Sequence, residues 1–354
     1  MSKNKKIDFL IVGQGLAGSL VAYFLLKEGK QVAIFDDNHE TSSSKAAAGI
    51  INPITGRRFV KSWMFEELQA FNESFYSNLE KEFGVIVYSK RKVLRFLQKN
   101  KDINEWHTRR TFEGYEKFMV SNAKWEFLKG KITEPEGIGE IDFAAQLKMP
   151  LLLKAFQKSF KEKNILNVQN IDYEKFIIND GSVTFDGLIA EKIIFCEGQK
   201  GRFNPFFSYL PFEVSKGEIL IVRIPDLKSE KIIKDKLIIA PLGDDLYWCG
   251  SNYEWNATEE LPTESIREDF IKKLQQTLKV KFEIVEHIAA IRPTVKDRRP
   301  FLGIHPQYPQ MAIFNGLGTK GASLGPFWAK HFVDFLINDI QINPEVNINR
   351  FDFN

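Results

Sequence analysis

The 354-residue chain is 44% apolar and 27% charged, with a formal net charge of +3. These are globular values, so disorder, collagen-like repeats and a disulfide scaffold are poor readings, and so slight a charge excess argues for neither a nucleic-acid nor a polybasic membrane-surface protein. At about 150 residues per domain the length predicts roughly two domains.

The chain starts MSKNKK and continues with a largely apolar stretch over 7–26, which imitates a secretory signal, but Asp8, Gln14 and three glycines interrupt it. No run of about 18 apolar residues exists, so no membrane span is expected. Residues 7–12 (IDFLIV) suit a strand buried on both faces of a parallel sheet. A Gly-rich turn, a helix over 16–28 capped by Gly29, and a second strand over 31–35 complete one βαβ unit ending at Asp36. After the small-residue stretch 41–49, helical spacing over 63–83 with Gly84 behind it predicts a helix of another domain.

From 85 to 141 the pattern is mixed, with strand-like pieces at 85–88, 92–96 and 124–128 and a helix near 103–111. An amphipathic helix follows over 147–163 with Pro150 in its first turn, then strands at 165–168, 173–178 and 192–196, the last (IIFCEG) again of buried composition. Alternating strands are expected at 217–224, 236–240, 246–250 and 283–291, with a capping box of Ser265 and Glu268 starting a helix between them. A strand at 311–314 and a helix over 322–337 close the chain. Two interleaved domains follow from this order. Cys196 and Cys249 form no CxxC pair and the five histidines are scattered, which points to a reducing, cytoplasmic setting and no structural metal.

Gly13-Gln-Gly15-Leu-Ala-Gly18 lies between a strand and a helix. The first glycine permits the turn, the second lets a pyrophosphate approach the backbone, and the third lets helix and strand pack closely. Free N–H groups and the positive helix end then face the phosphates, and Asp36 is placed to accept from ribose hydroxyls, which predicts a dinucleotide. No arginine follows Asp36 directly, which disfavours a ribose 2′-phosphate. The second cluster, Gly316-Leu-Gly318-Thr-Lys-Gly321, also opens a helix, but no acidic residue or strand completes a second mononucleotide unit. It has two readings: a helix N-terminus facing a flavin's N1 and C2 carbonyl, where Lys320 adds a cation, or a glycine-eased loop before a packed helix.

In order and spacing, IDFLIVGQGLAGSLVAYFLL, VAIFDD, SSSKAAAGIINP, IIFCEGQKG, KGEILIV, AAIRPTVKDRRPFLG and NGLGTKGASLGP resemble the FAD-dependent oxidoreductases that include D-amino acid oxidase, glycine oxidase and sarcosine oxidase. The resemblance spans nearly the whole chain. It implies an α/β fold in which a Rossmann-type FAD-binding domain (1–58, 146–203 and 298–354) is interleaved with an antiparallel-sheet α+β substrate domain (59–145 and 204–297). Carried over by position, Leu16 and Ala17 face the pyrophosphate, and Asp36, with Asp37 beside it, the adenosine ribose. Ser43, Ser44, Ala48, Gly49 and Ile50 wrap pyrophosphate and flavin, while Cys196 and Gly198 belong to the same side. Ile171 meets adenine through its backbone, and Leu317, Gly318, Thr319, Lys320, Gly321, Ala322 and Ser323 border the pyrimidine end of the ring. Neither cysteine fits the family's flavin attachment, so the FAD is expected to be non-covalent.

On the substrate side Arg292 in IRP resembles the arginine that grips a substrate carboxylate. A guanidinium offers a planar, two-pronged donor and stays charged when partly buried, although the bare sequence fits a strand-end salt bridge equally. Arg298 and Arg299 are expected as a solvated pair. Ile238 stands where glycine oxidase has a tyrosine, and Thr319 where a second arginine is found. Tyr253 and Asn252 fall at a pocket-lining position. Asn52, Arg57 and Arg58 in INPITGRR either supply the missing polar contacts or are turn residues.

The expected function is oxidation of the C–N bond of an amino acid or N-substituted amino acid by hydride transfer to flavin N5. The imine is then hydrolysed, with molecular oxygen or another carrier as final acceptor. The GLGTKG loop also resembles the oxidase domain of the bifunctional enzyme that modifies tRNA wobble uridine. The short clusters Lys90-Arg91-Lys92 and Arg109-Arg110 are the only candidates for an RNA face, and such clusters are usually just solvated. A non-catalytic flavin-binding protein or an NAD-linked dehydrogenase would also accommodate the first glycine motif.

Overall fold

The computed structural model describes residues 5–38 and 41–352; the first four residues of the signal-like start lie outside it. Two sheets organise the chain. In the first, the strand Lys5–Val12 pairs in parallel with Val32–Asp36 on one side and Leu188–Phe195 on the other, and Leu166–Val168 and Met311–Asn315 extend the parallel set. Near-continuous burial of Val32–Asp36 and Met311–Asn315 follows from the layers covering them: Leu16–Lys27 packs beside Gly321–Asn338 over one face, burying Leu16, Leu20, Ala322 and Ala329 in a common core. The other face buries Leu10, Phe35, Phe195 and Ile313.

The second sheet has ten strands. Ser215–Arg223 lies next to one edge, between Glu283–Arg292 and Leu246–Gly250, which leads through Ile238–Gly243 and Ile232–Lys234 to Tyr88–Leu97 and Gly137–Leu147. All pairings are antiparallel except that of Ile232–Lys234 with Tyr88–Leu97. One face of this sheet shares the core of the cofactor side, and the opposite face packs Leu94, Leu220, Ile233 and Ile239 under the helix Glu264–Thr277.

Several expectations change. The helix Phe65–Phe83 packs on Gly321–Asn338. The cause is local: Pro326 sits inside the latter helix and has no N–H to donate to Ala322, so the buried Tyr76 hydroxyl donates to that carbonyl instead (2.8 Å). Ile50–Ile51 pairs with Gly137–Leu147 and so joins the second sheet. Residues 173–175 and 126–128 form 3₁₀ turns in place of strands. The strand predicted from 85 begins only at Tyr88, because Glu80 accepts from the Val87 and Tyr88 N–H groups. The helix Glu264–Thr277 is capped at Thr263, leaving Ser265 inside the first turn; Thr263 is held by the buried Glu218, which accepts from both its N–H and its hydroxyl at 2.8 Å. Among the described residues no helix is long and apolar enough to cross a membrane.

Candidate active site

The glycine turn is fixed by clearances that only hydrogen satisfies. Gly13 has φ +99°, and a Cβ there would lie 2.6 Å from the Cys196 carbonyl; at Gly18 it would lie 1.8 Å from the Gly13 carbonyl. The Asp36 carboxylate holds the turn, accepting from Gln14 N–H at 2.6 Å while its other oxygen accepts from Asn38 N–H at 2.7 Å. Asp36 is therefore a tether of the turn that also lines the cavity. Ser44 Oγ accepts from Leu16 N–H (3.2 Å), bringing the small-residue loop onto the helix start. Trp248 Nε1 donates to the Ala46 carbonyl at 2.9 Å, which ties that loop to the second sheet.

A cavity of about 640 Å³ runs between the sheets, a volume suited to a cofactor and a small substrate. Gly13, Gly15, Leu16, Ala17, Asp36, Asp37, Ser43, Ser44, Ala48, Gly49, Ile50, Ile171, Cys196 and Gly198 line one end and flank. Leu317, Gly318, Thr319, Gly321 and Ala322 come from the second glycine cluster, and Ile238, Tyr253 and Arg292 from the other sheet. The glycine-relieved turn at a helix N-terminus, continuous with this groove, fits a dinucleotide. Gly18 and Gly316 act behind the wall: at Gly316, φ +77°, a Cβ would meet Val295 at 2.6 Å. Ser323 also stands back, its carbonyl accepting from buried Asn72 at 2.8 Å.

Arg292 ends its strand opposite Ser215. Its Nη2 donates to Ser251 Oγ at 2.8 Å, both Nη atoms reach the Asn252 carbonyl at 3.3 Å, and the guanidinium lies 4.7 Å from the Tyr253 ring centre. Asn252 is itself fixed, since its Oδ1 accepts from Glu218 N–H at 2.7 Å. Burial lowers the Arg292 pKa from its ordinary value, and Tyr253 partly opposes this. Among the described residues no carboxylate forms an ion pair with Arg292, so the strand-end salt bridge is absent; its donors go to Ser251 and to the Asn252 and Lys216 carbonyls, the last at 3.5 Å, and the guanidinium lies against Gly217 in the cavity lining.

Two expected site residues are corrections. Arg58 is exposed in the turn between Ile54–Thr55 and Val60–Lys61 and does not line the cavity. Asn52, in the same segment, is a turn residue whose Oδ1 accepts from Ile54 N–H at 3.1 Å. Lys320 caps the last helix, but its ammonium donates to Ser62 Oγ at 3.3 Å and is outside the cavity lining; burial lowers its pKa, and Arg298 and Arg299 add to the effect. Arg299 is no solvated bystander: it pairs with Glu345 at 3.1 Å and lies 3.9 Å from the Trp63 ring centre. Gly217, Ser251 and Trp248 also line the cavity, and sequence reasoning missed all three. The glycine of KGEILIV was the available signal for the first, since alternation places it on the same face as Ile219.

The fold and the cavity are those of a dinucleotide-binding protein built on two sheets. A family model described as FAD dependent oxidoreductase matches residues 8–335, and the chain belongs to that family, so its cofactor is FAD. Glycine oxidase of Bacillus subtilis (strain 168) is 24% identical over 372 residues, covering 96% of this chain and 94% of its own. In structure the chain is similar to glycine oxidase from Bacillus cereus ATCC 14579 (TM-score 0.81, 19% identity, 95% and 96% of the two chains). It is also similar to iminodiacetate oxidase from Chelativorans sp. BNC1 (TM-score 0.79, 18% identity, 96% and 98%) and to L-alpha-glycerophosphate oxidase from Mycoplasma pneumoniae with FAD bound (TM-score 0.74, 16% identity, 97% and 99%).

Proposed function

We propose that the chain oxidises the C–N bond of an amino acid or N-substituted amino acid. One observation carries this reading: a half-buried guanidinium that no carboxylate among the described residues pairs with stands at the far end of a cavity whose other end is the glycine turn. Bound FAD supplies the acceptor for the hydride leaving the carbon beside the nitrogen. The chain's own part is positioning. Arg292 takes the carboxylate, Ser251 and the Asn252 carbonyl fix the plane of the guanidinium, and the Tyr253 ring covers its face. The amine reacts neutral, its lone pair becomes the C=N bond as the hydride departs, and water then hydrolyses the imine. The final electron acceptor is molecular oxygen or another carrier, and the free Cys196 and Cys249 thiols support a cytoplasmic setting.

The strand pairings support dividing the chain into 1–58, 146–203 and 298–354 for FAD and 59–145 and 204–297 for substrate, with residues 50–51 and 146–147 contributed across the boundary. A small-molecule substrate is preferred to tRNA because the basic clusters are engaged: Lys90 pairs with Glu73, Arg91 with Glu230, Lys92 with Glu140 and Asp142, and Arg109 with Glu105, while Arg110 donates to the Met119 carbonyl. The test is Arg292→Lys, which keeps the charge and removes the fork. Flavin reduction by amino acids should fall at least tenfold while amines lacking a carboxylate are little affected; equal effects on both would refute the carboxylate role.

A further inference from the structure

Lys234 is the register partner of Ile238 on one side and of Arg95 on the other, so the three residues share one face of the second sheet. It is the face turned to the cofactor: Ile232 and Val93, two residues back along the same strands, belong to the core that holds Leu16 and Trp248, whereas Ile233, Ile239 and Leu94 fill the opposite one. Ile238 lines the cavity. Lys234 therefore stands one strand beyond the cavity wall and Arg95 two, at about 4.8 Å per strand; neither is itself part of the cavity lining, and the lysine's length must bridge the gap to it.

Placing two cations side by side in a partly dry site is unfavourable unless an anion joins them. Among the described residues neither side chain has an ion-pair or hydrogen-bond partner. The Arg95 guanidinium lies 5.5 Å from the Phe59 ring centre, and its Nε is buried without a partner. Asp102 and Asp235 act on Arg95 only from beyond ion-pair distance, and the Asp235 oxygens are already engaged by Gln98 Nε2 (2.7 Å) and Thr277 Oγ1 (2.6 Å). Arg57, exposed on the neighbouring turn, adds a third positive charge that acts on Arg95. Burial, with Arg95 adding to it, pushes the Lys234 ammonium down to about 8.

We propose that Lys234 and Arg95, with Arg57 on the solvent side, form a second anion site for the distal acidic group of a substrate whose first carboxylate is held by Arg292. The proposal rests on the reading of Arg292 above and names the substrate class. The Arg292 guanidinium lies against Gly217, which is three strands across and two residues along from Lys234, roughly 16 Å between Cα atoms on a flat sheet. Allowing for the reach of the lysine, the two anions stand on the order of 10 Å apart. The substrate is thus a long amino acid or N-substituted amino acid ending in a carboxylate or a phosphate. Its methylenes cross Ile238, whose apolar surface suits them.

The test measures binding of octanoate, suberate and 8-phosphonooctanoate to the FAD-loaded protein by calorimetry, in the parent and in Lys234→Met, Arg95→Met and Arg292→Lys. Suberate or the phosphonate should bind at least tenfold tighter than octanoate, and whichever binds tighter identifies the distal acid. Lys234→Met and Arg95→Met should each abolish that advantage and leave octanoate binding intact, with melting temperatures no lower than the parent's. Arg292→Lys should weaken all three. If it leaves octanoate unchanged while Lys234→Met still removes the advantage, the Arg292 reading fails and the second site stands. Folded Lys234→Met and Arg95→Met proteins that bind all three ligands like the parent would overturn the proposal. So would variants that both melt well below the parent, since the pair would then be holding the fold. A single-stranded RNA oligonucleotide whose binding is lost in Lys234→Met, without any preference among the acids, would also overturn it.

Discussion

Gly217 offers the sharpest probe of the carboxylate site proposed at Arg292, because a single methyl group placed there meets only the end of a side chain. A Cβ would lie 1.6 Å from Arg292 Nη2, 2.1 Å from its Cζ and 2.5 Å from Nη1. In Gly217→Ala the guanidinium must turn aside, which gives up the 2.8 Å bond to Ser251 and the two 3.3 Å contacts to the Asn252 carbonyl. The backbone is undisturbed, since no backbone atom is among the nearest clashes. A hydrogen bond involving a charged group is worth about 1.5–3 kcal/mol, so misaimed donors should weaken carboxylate binding roughly 10- to 150-fold. Anaerobic rapid mixing reads this directly: the amino-acid concentration giving half-maximal flavin reduction should rise by that factor, while the FAD spectrum and melting temperature stay close to the parent's. An unchanged concentration dependence would refute the placement of Arg292. An equal loss for an amine without a carboxylate would show that the methyl group merely narrows the cavity.

Asp36→Ala should weaken FAD by at least tenfold, measured by fluorescence titration of the apoprotein. Because the carboxylate also holds Gln14 N–H, FMN should lose affinity as well, though less than FAD; equal losses would mean that Asp36 acts only through the turn. Lys234→Met should stabilise the protein at pH 7. The Lys234 pKa is lowered from 10.5 to about 8 by folding, so below pH 8 the cost of burying the charge is fully present, on the order of 3 kcal/mol, and it disappears as pH rises from 8 to 10.5. The difference in melting temperature between variant and parent should therefore shrink over that interval, and a constant difference would contradict the assignment.

The cofactor half of the site was legible because its demands are local. A turn that must approach a phosphate tolerates no Cβ at Gly13 or Gly18, and the residues meeting those glycines, Cys196 and Gly13 itself, lie in motifs of fixed order. The substrate half was less so. The position of Arg292 was expected, but its partners Ser251 and Asn252 come from another strand end, and only strand register reveals that Gly217 faces it. Arg58 and Lys320 lie close in the chain to cofactor motifs, yet a tight turn sends Arg58 to solvent and Ser62 draws the Lys320 ammonium away. The juxtaposition of Lys234 and Arg95 arises from the one parallel pairing in an otherwise antiparallel sheet, between segments far apart in the chain. Local pattern carries no signal for such a pairing.

The role on which the proposed function turns is the delivery of a carboxylate-bearing amine to the FAD by Arg292. It is tested most directly by mixing the FAD-loaded protein anaerobically with amino acids, N-substituted amino acids and the matching amines without a carboxylate, while following flavin absorbance near about 450 nm. Rapid bleaching by one or more carboxylate-bearing amines, with the decarboxylated counterparts at least tenfold less effective, is the predicted result. Bleaching that is indifferent to the carboxylate would contradict the account.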